Sequence, residues 1–521
     1  MRLIKRLLVI VLLLSAFGTD HLHAQLYQEP FERTVTEGVE DAYSAVDTLF
    51  HSAMKPYHAD QFVRDSIPRF RTYDRRYFNL TEVKFLKEHL IELKEDDFEL
   101  YMDAVLDLNI GRDLGDTSSW QDTVQVFNNT RGLAMYGRIG DRVSFHASVF
   151  ENQSQFQDWM YKYTDSLGVV PGQGRFKELE SNARDYNSAW GVISIQAAKW
   201  LQVHFGQGKH FIGSGYRSML LSDVASNYPF IRLKANFWKN RIEYTAMNAE
   251  MFNMERLPLG EVPESLFKRK GYTMRYLSVI PHPRLELGLF EAVVHQRWDS
   301  TGTKAYGWDF YQPLPFVSTA VNGLDSVNNA VVGLNAKIKV SDKLFFYGQG
   351  VADQAESRFS GFQVGLRWKD FPFKTTTLRL EYNEGGAGIF TNKRNLQNYT
   401  HMNQGLAHPL GTNFKEYIVV WQQRTRKKRL WSEWRGIYQI HDGGIRGNIQ
   451  STPTELLDGT HDPGVTMISD LQFGYLMNPT SNMNAIIGWT WRDRSTNAGH
   501  LVSSFYYFTF RVALFNRYYD V

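Results

Sequence analysis

Residues 199–237 read KWLQVHFGQGKHFIGSGYRSMLLSDVASNYPFIRLKANF, and in this stretch two strand patterns flank a glycine-rich connection. Apolar and polar residues alternate in residues 199–205 and again in residues 231–237, as expected for β-strands with two different faces. Residues 206–230 contain four glycines, together with Lys209, His210, Arg217, Ser222 and Asp223. Glycine permits positive φ and close approach of the backbone to another surface. The stretch therefore predicts two strands joined by a glycine-rich connection, and this connection is a candidate functional segment.

The alternation with a period of two recurs from about residue 100 to the end of the chain. Counting such segments predicts about 18 strands of roughly 9–12 residues, the length that a tilted strand needs to cross a membrane. Large charged residues on the polar face and aromatic residues near the strand ends are typical of a barrel with lipid outside and a polar lumen. The strand centres are predicted near Val105, Met135, Phe145, Ile193, Val203, Leu233, Tyr244, Tyr276, Leu289, Leu334, Phe346, Val364, Leu380, Val419, Trp434, Phe473, Ile487 and Phe510.

Short and long connections alternate between these strands. The predicted short turns are residues 140–141, 198–199, 239–240, 281–283, 341–342, 370–373, 426–428 and 479–482. The predicted long loops are residues 113–129, 152–187, 206–228, 249–269, 298–328, 385–414, 441–465 and 493–499. Outer-membrane barrels have short periplasmic turns and longer extracellular loops, whereas a soluble all-β protein gives no reason for this order. The sequence thus predicts an all-β outer-membrane barrel of about 18 antiparallel strands, with both termini periplasmic because the strand number is even.

The start of the chain differs from the rest. A basic segment, an apolar run at residues 7–14 and a small residue at Ala24 predict a secretory signal peptide over residues 1–24, with an uncleaved anchor as the alternative. Residues 25–98 form the predicted periplasmic N-terminal region, with helical spacing in residues 37–52 and 81–93. Residues 99–521 form the predicted barrel. The chain contains no Cys, so disulfides do not stabilise the fold.

Charged residues on the polar faces of the predicted strands would face the lumen of a barrel. They are Arg232, Lys234, Lys337, Lys339, Arg367, Arg379, Glu381, Glu433, Arg435, Arg492 and Arg511. Such charges either pair across strands and fill the barrel, or form a basic lumen that attracts an acidic polysaccharide. In residues 298–328, Trp308 and Tyr311 lie beside Asp309, and aromatic faces with polar neighbours suit sugar rings or loop packing.

Motifs for catalysis, cofactors and metals are weak. Gly208-Lys209 faintly resembles a phosphate loop, but the Walker spacing and the following helix are missing. His401 and His408 have no carboxylate partner at metal-ligand spacing. No G-x-S-x-G or H-E-x-x-H motif occurs, although separate strands could still assemble a Ser-His pair. The net charge of +3 does not indicate nucleic acid as a partner. We therefore expect neither an enzyme nor a cofactor or metal site.

Residues 208–213 (GKHFIG), 215–223 (GYRSMLLSD) and 228–230 (YPF) resemble the signature of the capsule assembly protein Wzi family. The similarity is to Bacteroidetes-type members, including those called gliding motility protein RemB. The resemblance implies an 18-stranded outer-membrane barrel with a helical periplasmic N-terminal portion. It also implies a role in attaching or organising capsular polysaccharide at the cell surface.

Together these observations predict a barrel that binds surface polysaccharide through its extracellular loops. The candidate ligand-binding residues are Lys209, His210, Arg217, Ser222, Asp223, Trp308 and Tyr311. In the alternative interpretation, residues 206–230 fold into the barrel and their charges hold the loop in shape. Two other functions stay open, a component of gliding or adhesin machinery with protein partners, and a porin-like channel. Besides polysaccharide or protein partners, we expect the barrel to contact outer-membrane lipid.

Overall fold

A computed structural model describes most of the chain. The described residues are 27–28, 31–44, 49–59, 80–115, 125–256, 267–299, 302–317, 319, 328–353, 359–392, 394–425, 429–441, 463–497, 499–513 and 515–520. The predicted signal peptide, residues 1–24, and the predicted short turn at residues 426–428 lie outside these ranges, as does most of the predicted long loop 441–465.

Eighteen antiparallel strands form a closed barrel, in which each strand pairs with the next and the last pairs with the first. They are β1 (Phe98–Asp113), β2 (Val126–Ile139), β3 (Val143–Gln155), β4 (Arg184–Ala198), β5 (Leu201–Gly208), β6 (Tyr228–Phe237), β7 (Ile242–Arg256), β8 (Phe267–His282), β9 (Leu285–His295), β10 (Asn329–Lys339), β11 (Leu344–Asp353), β12 (Phe359–Lys369), β13 (Thr376–Gly385), β14 (Phe414–Arg424), β15 (Leu430–His441), β16 (Gly464–Asn478), β17 (Met483–Thr496) and β18 (Gly499–Val512). Every predicted strand centre lies inside one of them, so the fold prediction is confirmed.

The outer face of the barrel is apolar because the residues alternate along each strand. On β10, for example, Leu334 is 57% exposed on the outside, whereas the neighbouring Asn335 is buried in the lumen. Exposed apolar side chains continue around the wall and form what we call the apolar belt. Its members include Leu108, Leu133, Val149, Ile193, Phe205, Ile231, Leu287, Leu289, Leu334, Phe346, Val364, Leu380, Phe473, Ile487 and Phe508.

Short turns lie at one end of the barrel and mostly long connections at the other, as predicted. One predicted long loop, residues 493–499, is wrong. Strand β17 continues to Thr496 and β18 begins at Gly499, so the two strands extend their ladder and leave a tight turn. The last strand ends at Val512, where the backbone leaves the ladder, and the following Ala513 has φ 50°.

Four short helices accompany the barrel in the described residues: α1 (Arg33–Ser44), α2 (Leu80–Leu86), α3 (Asp158–Leu167) and α4 (Trp308–Tyr311). The two predicted N-terminal helices exist but are shorter than expected. Residues 49–52 are not helical, and Ile91–Glu95 forms a strand that pairs with the start of β1. This pairing satisfies the backbone of residues 91–95 and overrides their helical spacing. No described helix has the length and apolar character to cross a membrane.

The lumen is filled by the chain itself. The described parts of residues 31–58, 209–227, 386–413 and 515–520 lie inside the wall, and we call these four segments the plug. Two of them pair with each other, because Met54–Lys55 forms a short ladder with Phe211–Ile212.

An apolar core joins the plug to one side of the wall, so the predicted polar lumen is apolar in part. Plug residues Leu220, Tyr399 and Leu406 pack against lumen-facing Met274 and Val331. Burial of such side chains in contact with each other provides the main free energy for filling the barrel.

Candidate functional site in the barrel lumen

Residues 206–230 leave β5 and fold into the lumen before they return to β6. Four of the five predicted ligand-binding residues of this stretch are buried, with exposed fractions of 1–2% for His210, Arg217, Ser222 and Asp223. Lys209 is half-buried. Of the two interpretations of this stretch, the geometry therefore favours the loop that narrows the barrel. The contacts of each residue show how the loop is held.

Arg217 is the charged centre of the plug. Its guanidinium lies 3.1 Å from Glu416 on β14 and 3.1 Å from Asp520 near the C-terminus. It also donates a hydrogen bond to the backbone carbonyl of Asp520 at 2.9 Å. Burial opposes the charge, but Asp520 and Glu416 outweigh burial and raise the pKa of Arg217 above its usual value. One residue thus connects the loop, the wall and the C-terminal segment.

Carboxylates of the wall hold the backbone of the inserted segments. Glu381 on β13 accepts hydrogen bonds from the backbone N–H groups of Tyr216 at 2.6 Å and Arg217 at 2.9 Å. Glu286 on β9 accepts from the N–H groups of Ser52 and Ala53, at 3.1 Å each. Hydrogen bonds to a charged acceptor are among the stronger ones. These contacts supply partners for backbone groups that have no ladder inside the lumen.

Lys209 and His210 make contacts within the protein. The Lys209 amine donates to the carbonyls of Gly172 at 2.6 Å and Asp223 at 3.1 Å. Burial lowers the pKa of Lys209 to about 8, although the nearby Asp223 carboxylate opposes the change. The His210 ring shares a 3.1 Å hydrogen bond with the hydroxyl of Tyr228, and burial lowers its pKa well below the usual value.

Ser222 and Asp223 connect the loop to other parts of the plug. The Ser222 hydroxyl donates to the carbonyl of Ala407. The backbone N–H of Ser222 donates to the carbonyl of Leu406 at 2.7 Å. Asp223 accepts a hydrogen bond from the side chain of Asn516 at 3.0 Å. The five predicted residues of this stretch therefore lie in the same part of the lumen. Their polar groups form hydrogen bonds and ion pairs with other parts of the protein.

Helix α1 closes the lumen towards the short turns. Glu37 pairs with Arg379 at 2.6 Å and Arg367 at 3.1 Å, and Glu40 pairs with Lys337 at 3.3 Å. Burial acts to raise the pKa of Glu37, but the two arginines outweigh it and leave the pKa below its usual value. Three of the basic lumen residues predicted from the sequence are thus matched by acidic residues of α1, namely Lys337, Arg367 and Arg379.

A cavity of about 190 Å³ remains in the half of the lumen that lies nearer the long loops. It is bounded by β1–β3, by β15–β18, by α3 and by the C-terminal segment. The volume is well above the about 10–15 Å³ that one water molecule needs. Its charged lining residues are Arg435, Arg492, Arg511, Arg517, Asp107, Asp470 and Asp520. Aromatic rings and amides complete the lining, including Phe156, Trp159, Tyr507, Tyr519, Asn109, Asn128, Gln157 and Gln472.

The arginines of this cavity are held in place. Arg492 lies over the ring of Trp159, with 4.3 Å from the guanidinium carbon to the ring centroid. Arg511 and Arg517 both contact Asp107, at 3.3 and 2.5 Å. Guanidinium groups recognise planar carboxylates with paired hydrogen bonds, and aromatic faces suit sugar rings. The cavity therefore has the chemistry to bind an acidic sugar.

Trp308 and Tyr311 lie far from the lumen. They belong to α4, in the connection between β9 and β10, and they are 55% and 66% exposed. The connection packs on the outer side of the wall, since the backbone carbonyl of Phe310 accepts a hydrogen bond from outward-facing Asn248 at 2.6 Å. The structure thus separates these two predicted residues from the other five.

Sequence reasoning did not identify the C-terminal segment as part of the site. Arg517 and Asp520 lie beyond β18, where the alternation along that strand has ended. Alternation cannot show that a tail turns back into the lumen. The available signal was the excess of arginines on the lumen faces, which required acidic partners from elsewhere in the chain.

Several solved outer-membrane proteins have a similar fold. Wzi of Escherichia coli, described as a carbohydrate-binding β-barrel involved in group 1 capsule assembly, is 14% identical, with a TM-score of 0.49 over 80% of this chain and 85% of that chain. OprD of Pseudomonas aeruginosa is 11% identical, with a TM-score of 0.43 over 79% of this chain and 94% of that one. OpdK of the same organism, solved with vanillate, is 10% identical, with a TM-score of 0.45 over 80% and 98%.

Similarity at this level carries no functional information by itself. No protein family model and no curated protein matches the sequence of the chain. The closed wall of 18 strands and its apolar belt are the features of an outer-membrane β-barrel.

Proposed function

We propose that this outer-membrane barrel binds an acidic surface polysaccharide in the arginine-lined cavity of its lumen. The observation that supports the proposal is the combination, in one cavity, of four arginines with Trp159, Tyr507 and several amides. Carboxylate groups of a sugar would pair with guanidinium groups, and ring faces would stack on the aromatic side chains. The proposed role is binding rather than catalysis.

Attachment or assembly of capsular polysaccharide at the cell surface is the biological role that we propose for this binding. The resemblance of residues 206–230 to the Wzi family supports it. In this proposal Lys209, His210, Arg217, Ser222 and Asp223 act indirectly, because they hold the plug that forms one side of the cavity. Capsule retention and surface spreading, scored separately after gene deletion, distinguish this role from one in gliding or adhesin machinery.

Binding can be tested with the purified chain in detergent, titrated with polygalacturonate and with neutral dextran of the same length. We expect polygalacturonate to bind at least ten-fold more tightly, and Arg492→Gln to weaken it at least ten-fold, because the variant removes a cation from the cavity. Arg511→Gln serves as a second variant at a more exposed site. Lys343→Gln is the matched control, since Lys343 pairs with Asp370 at a short turn. Equal binding of both polymers, or unchanged binding by both variants, would contradict the proposal.

A porin-like channel is the competing function, and planar bilayer recordings distinguish the two. Because the plug fills the lumen, we expect the wild-type barrel to pass little current. A large, steady conductance would favour a porin.

A further inference from the structure

The outer face of β7–β9 carries charged side chains, whereas the outer face of a membrane barrel is usually apolar. Arg275 pairs across strands with Ala246, which is level with the exposed Leu233, so its side chain leaves the wall on the outer side. Glu291 is the cross-strand partner of Arg275 on the same face. Both are nevertheless almost fully buried, with 3% and 2% exposure. Something on the outside of the barrel therefore covers them.

The cover is formed by residues 305–316, which we call the flap. Arg275 donates a hydrogen bond to the carbonyl of Gln312 at 2.6 Å. The N–H of Phe316 donates to the Glu291 carboxylate at 2.6 Å. Asp309 lies 3.5 Å from His295, another residue of this outer face. Two backbone groups of the flap are thus hydrogen-bonded to charged side chains of the wall.

A glycine in the wall allows the flap to lie close. A Cβ atom at Gly271 would come within 2.5 Å of the Tyr306 ring and 3.0 Å of the Phe310 ring. These two rings stack on each other with centroids 3.9 Å apart. The flap is therefore a packed part of the barrel surface and not a loose loop.

The outward side of the flap is aromatic and uncharged. Trp308, Tyr311 and Leu314 are 55%, 66% and 60% exposed. The flap sequence AYGWDFYQPLPF contains one charged residue, Asp309, and its side chain is turned inward and buried. The flap also reaches far down the wall, since the hydroxyl of Tyr244 bonds to the carbonyl of Pro313. Its outward side therefore continues the apolar belt, which is represented on neighbouring strands by Leu289 and Leu334.

We infer that the flap is a membrane-embedded surface whose Trp308, Tyr311 and Leu314 side chains contact lipid. Charged groups on the lipid-facing side of a barrel are unfavourable, and the flap removes Arg275 and Glu291 from that surface. Tryptophan and tyrosine are suited to the boundary between acyl chains and headgroups. The partner of these residues is thus bilayer lipid and not a sugar in water.

Fluorescence quenching can test this inference, because the chain has no native cysteine. The variants Tyr311→Cys and Leu314→Cys are labelled with bimane in the full chain and reconstituted into phosphatidylcholine vesicles. Leu334→Cys in the apolar belt is the lipid-exposed control. Asp342→Cys at a short turn, where the aspartate side chain is 89% exposed, is the water-exposed control.

We expect doxyl-labelled lipid to quench the flap labels as strongly as the label at position 334, and at least two-fold more than the label at position 342. Iodide in the aqueous phase should show the opposite order. A shift in gel mobility on heating confirms that each variant is folded. Flap labels that iodide quenches and doxyl lipid does not would overturn the inference, and they would leave Trp308 and Tyr311 available for a ligand in water.

Discussion

Buried charges at single residues determine how the lumen of this barrel is filled. The Arg217 side chain has no exposed surface, and its buried charge is compensated by two carboxylates, those of Glu416 and Asp520. A buried pair gains little over apolar packing while it is intact, but the loss of one partner is costly because the other charge stays buried. Gly206, near the end of β5, also tolerates no side chain, because its Cα faces the backbone of neighbouring β4.

The first prediction concerns Arg217→Ala. We expect the free energy of unfolding to fall by about 3–5 kcal/mol, because Glu416 and Asp520 remain buried without their cation. Urea unfolding in lipid vesicles, followed by tryptophan fluorescence, measures the change. The control Lys343→Ala removes an exposed pair and should cost less than about 1 kcal/mol. Equal effects of both variants would show that the Arg217 pairs do not stabilise the plug.

The second prediction compares two glycines of the quoted sequence. Gly206 has φ 147°, and a Cβ atom there would collide with the carbonyl oxygen of Gly191 on β4. Gly206→Ala should therefore destabilise the barrel by roughly 1–3 kcal/mol. A Cβ atom at Gly208 would have its nearest neighbours at 3.4 Å, so Gly208→Ala should change stability by less than about 1 kcal/mol. The same unfolding measurement separates the two, and a larger effect at Gly208 would refute the comparison.

At the scale of elements, the plug consists of segments from distant parts of the chain that satisfy each other's polar groups. His401 shows this well. Its Nδ1 accepts a hydrogen bond from the N–H of Phe252 at 3.0 Å, and its Nε2 contacts the carbonyl of Asn227 at 3.2 Å. Only the neutral ring can accept at Nδ1. Burial accordingly lowers the pKa of His401 to about 3.

Acid should therefore loosen the plug. The pKa of His401 is lower in the folded protein than its usual 6.5, so the unfolded chain binds more protons, and stability falls as the pH drops below 6.5 towards about 3. From pH 7.5 to pH 5.5 protonation of this single group should lower the free energy of unfolding by about 1 kcal/mol.

Urea unfolding at the two pH values measures the loss. His401→Gln keeps a neutral donor and acceptor, so we expect a smaller loss in this variant. His500→Gln serves as the control, since the His500 side chain is 69% exposed, and it should leave the pH dependence unchanged. The explanation fails if His401→Gln retains the full loss.

The whole molecule is a barrel closed by its own chain. Helix α1 contributes Glu37 and Glu40 to Lys337, Arg367 and Arg379 of the wall, so the N-terminal segment is held by charge as well as by packing. The wall differs around its circumference, because β7–β9 carry apolar side chains on the inside and a covered polar patch on the outside.

Removal of the acidic anchors of α1 should open the barrel. In the double variant Glu37→Gln/Glu40→Gln we expect a several-fold higher conductance in planar bilayers than in the wild type, because the basic wall residues no longer hold α1. Asp41→Asn is the matched control on the same helix, where the aspartate side chain is 45% exposed, and it should have a smaller effect. If the double variant stays as silent as the wild type, the charges of α1 do not keep the lumen closed.

Local alternation along the chain was enough to predict the 18 strands, their antiparallel order and the alternation of short and long connections. Successive side chains of a strand point to opposite faces, so the alternation of Leu334 and Asn335 already indicates which residue faces lipid and which faces the lumen. The cluster from Lys209 to Asp223 could be recognised as special, but not its direction. Whether it extends outward or folds inward depends on partners such as Glu416 and Asp520, which are distant in sequence. The same applies to Trp308 and Tyr311, because only the packing of residues 305–316 on the outer wall shows which surface they form.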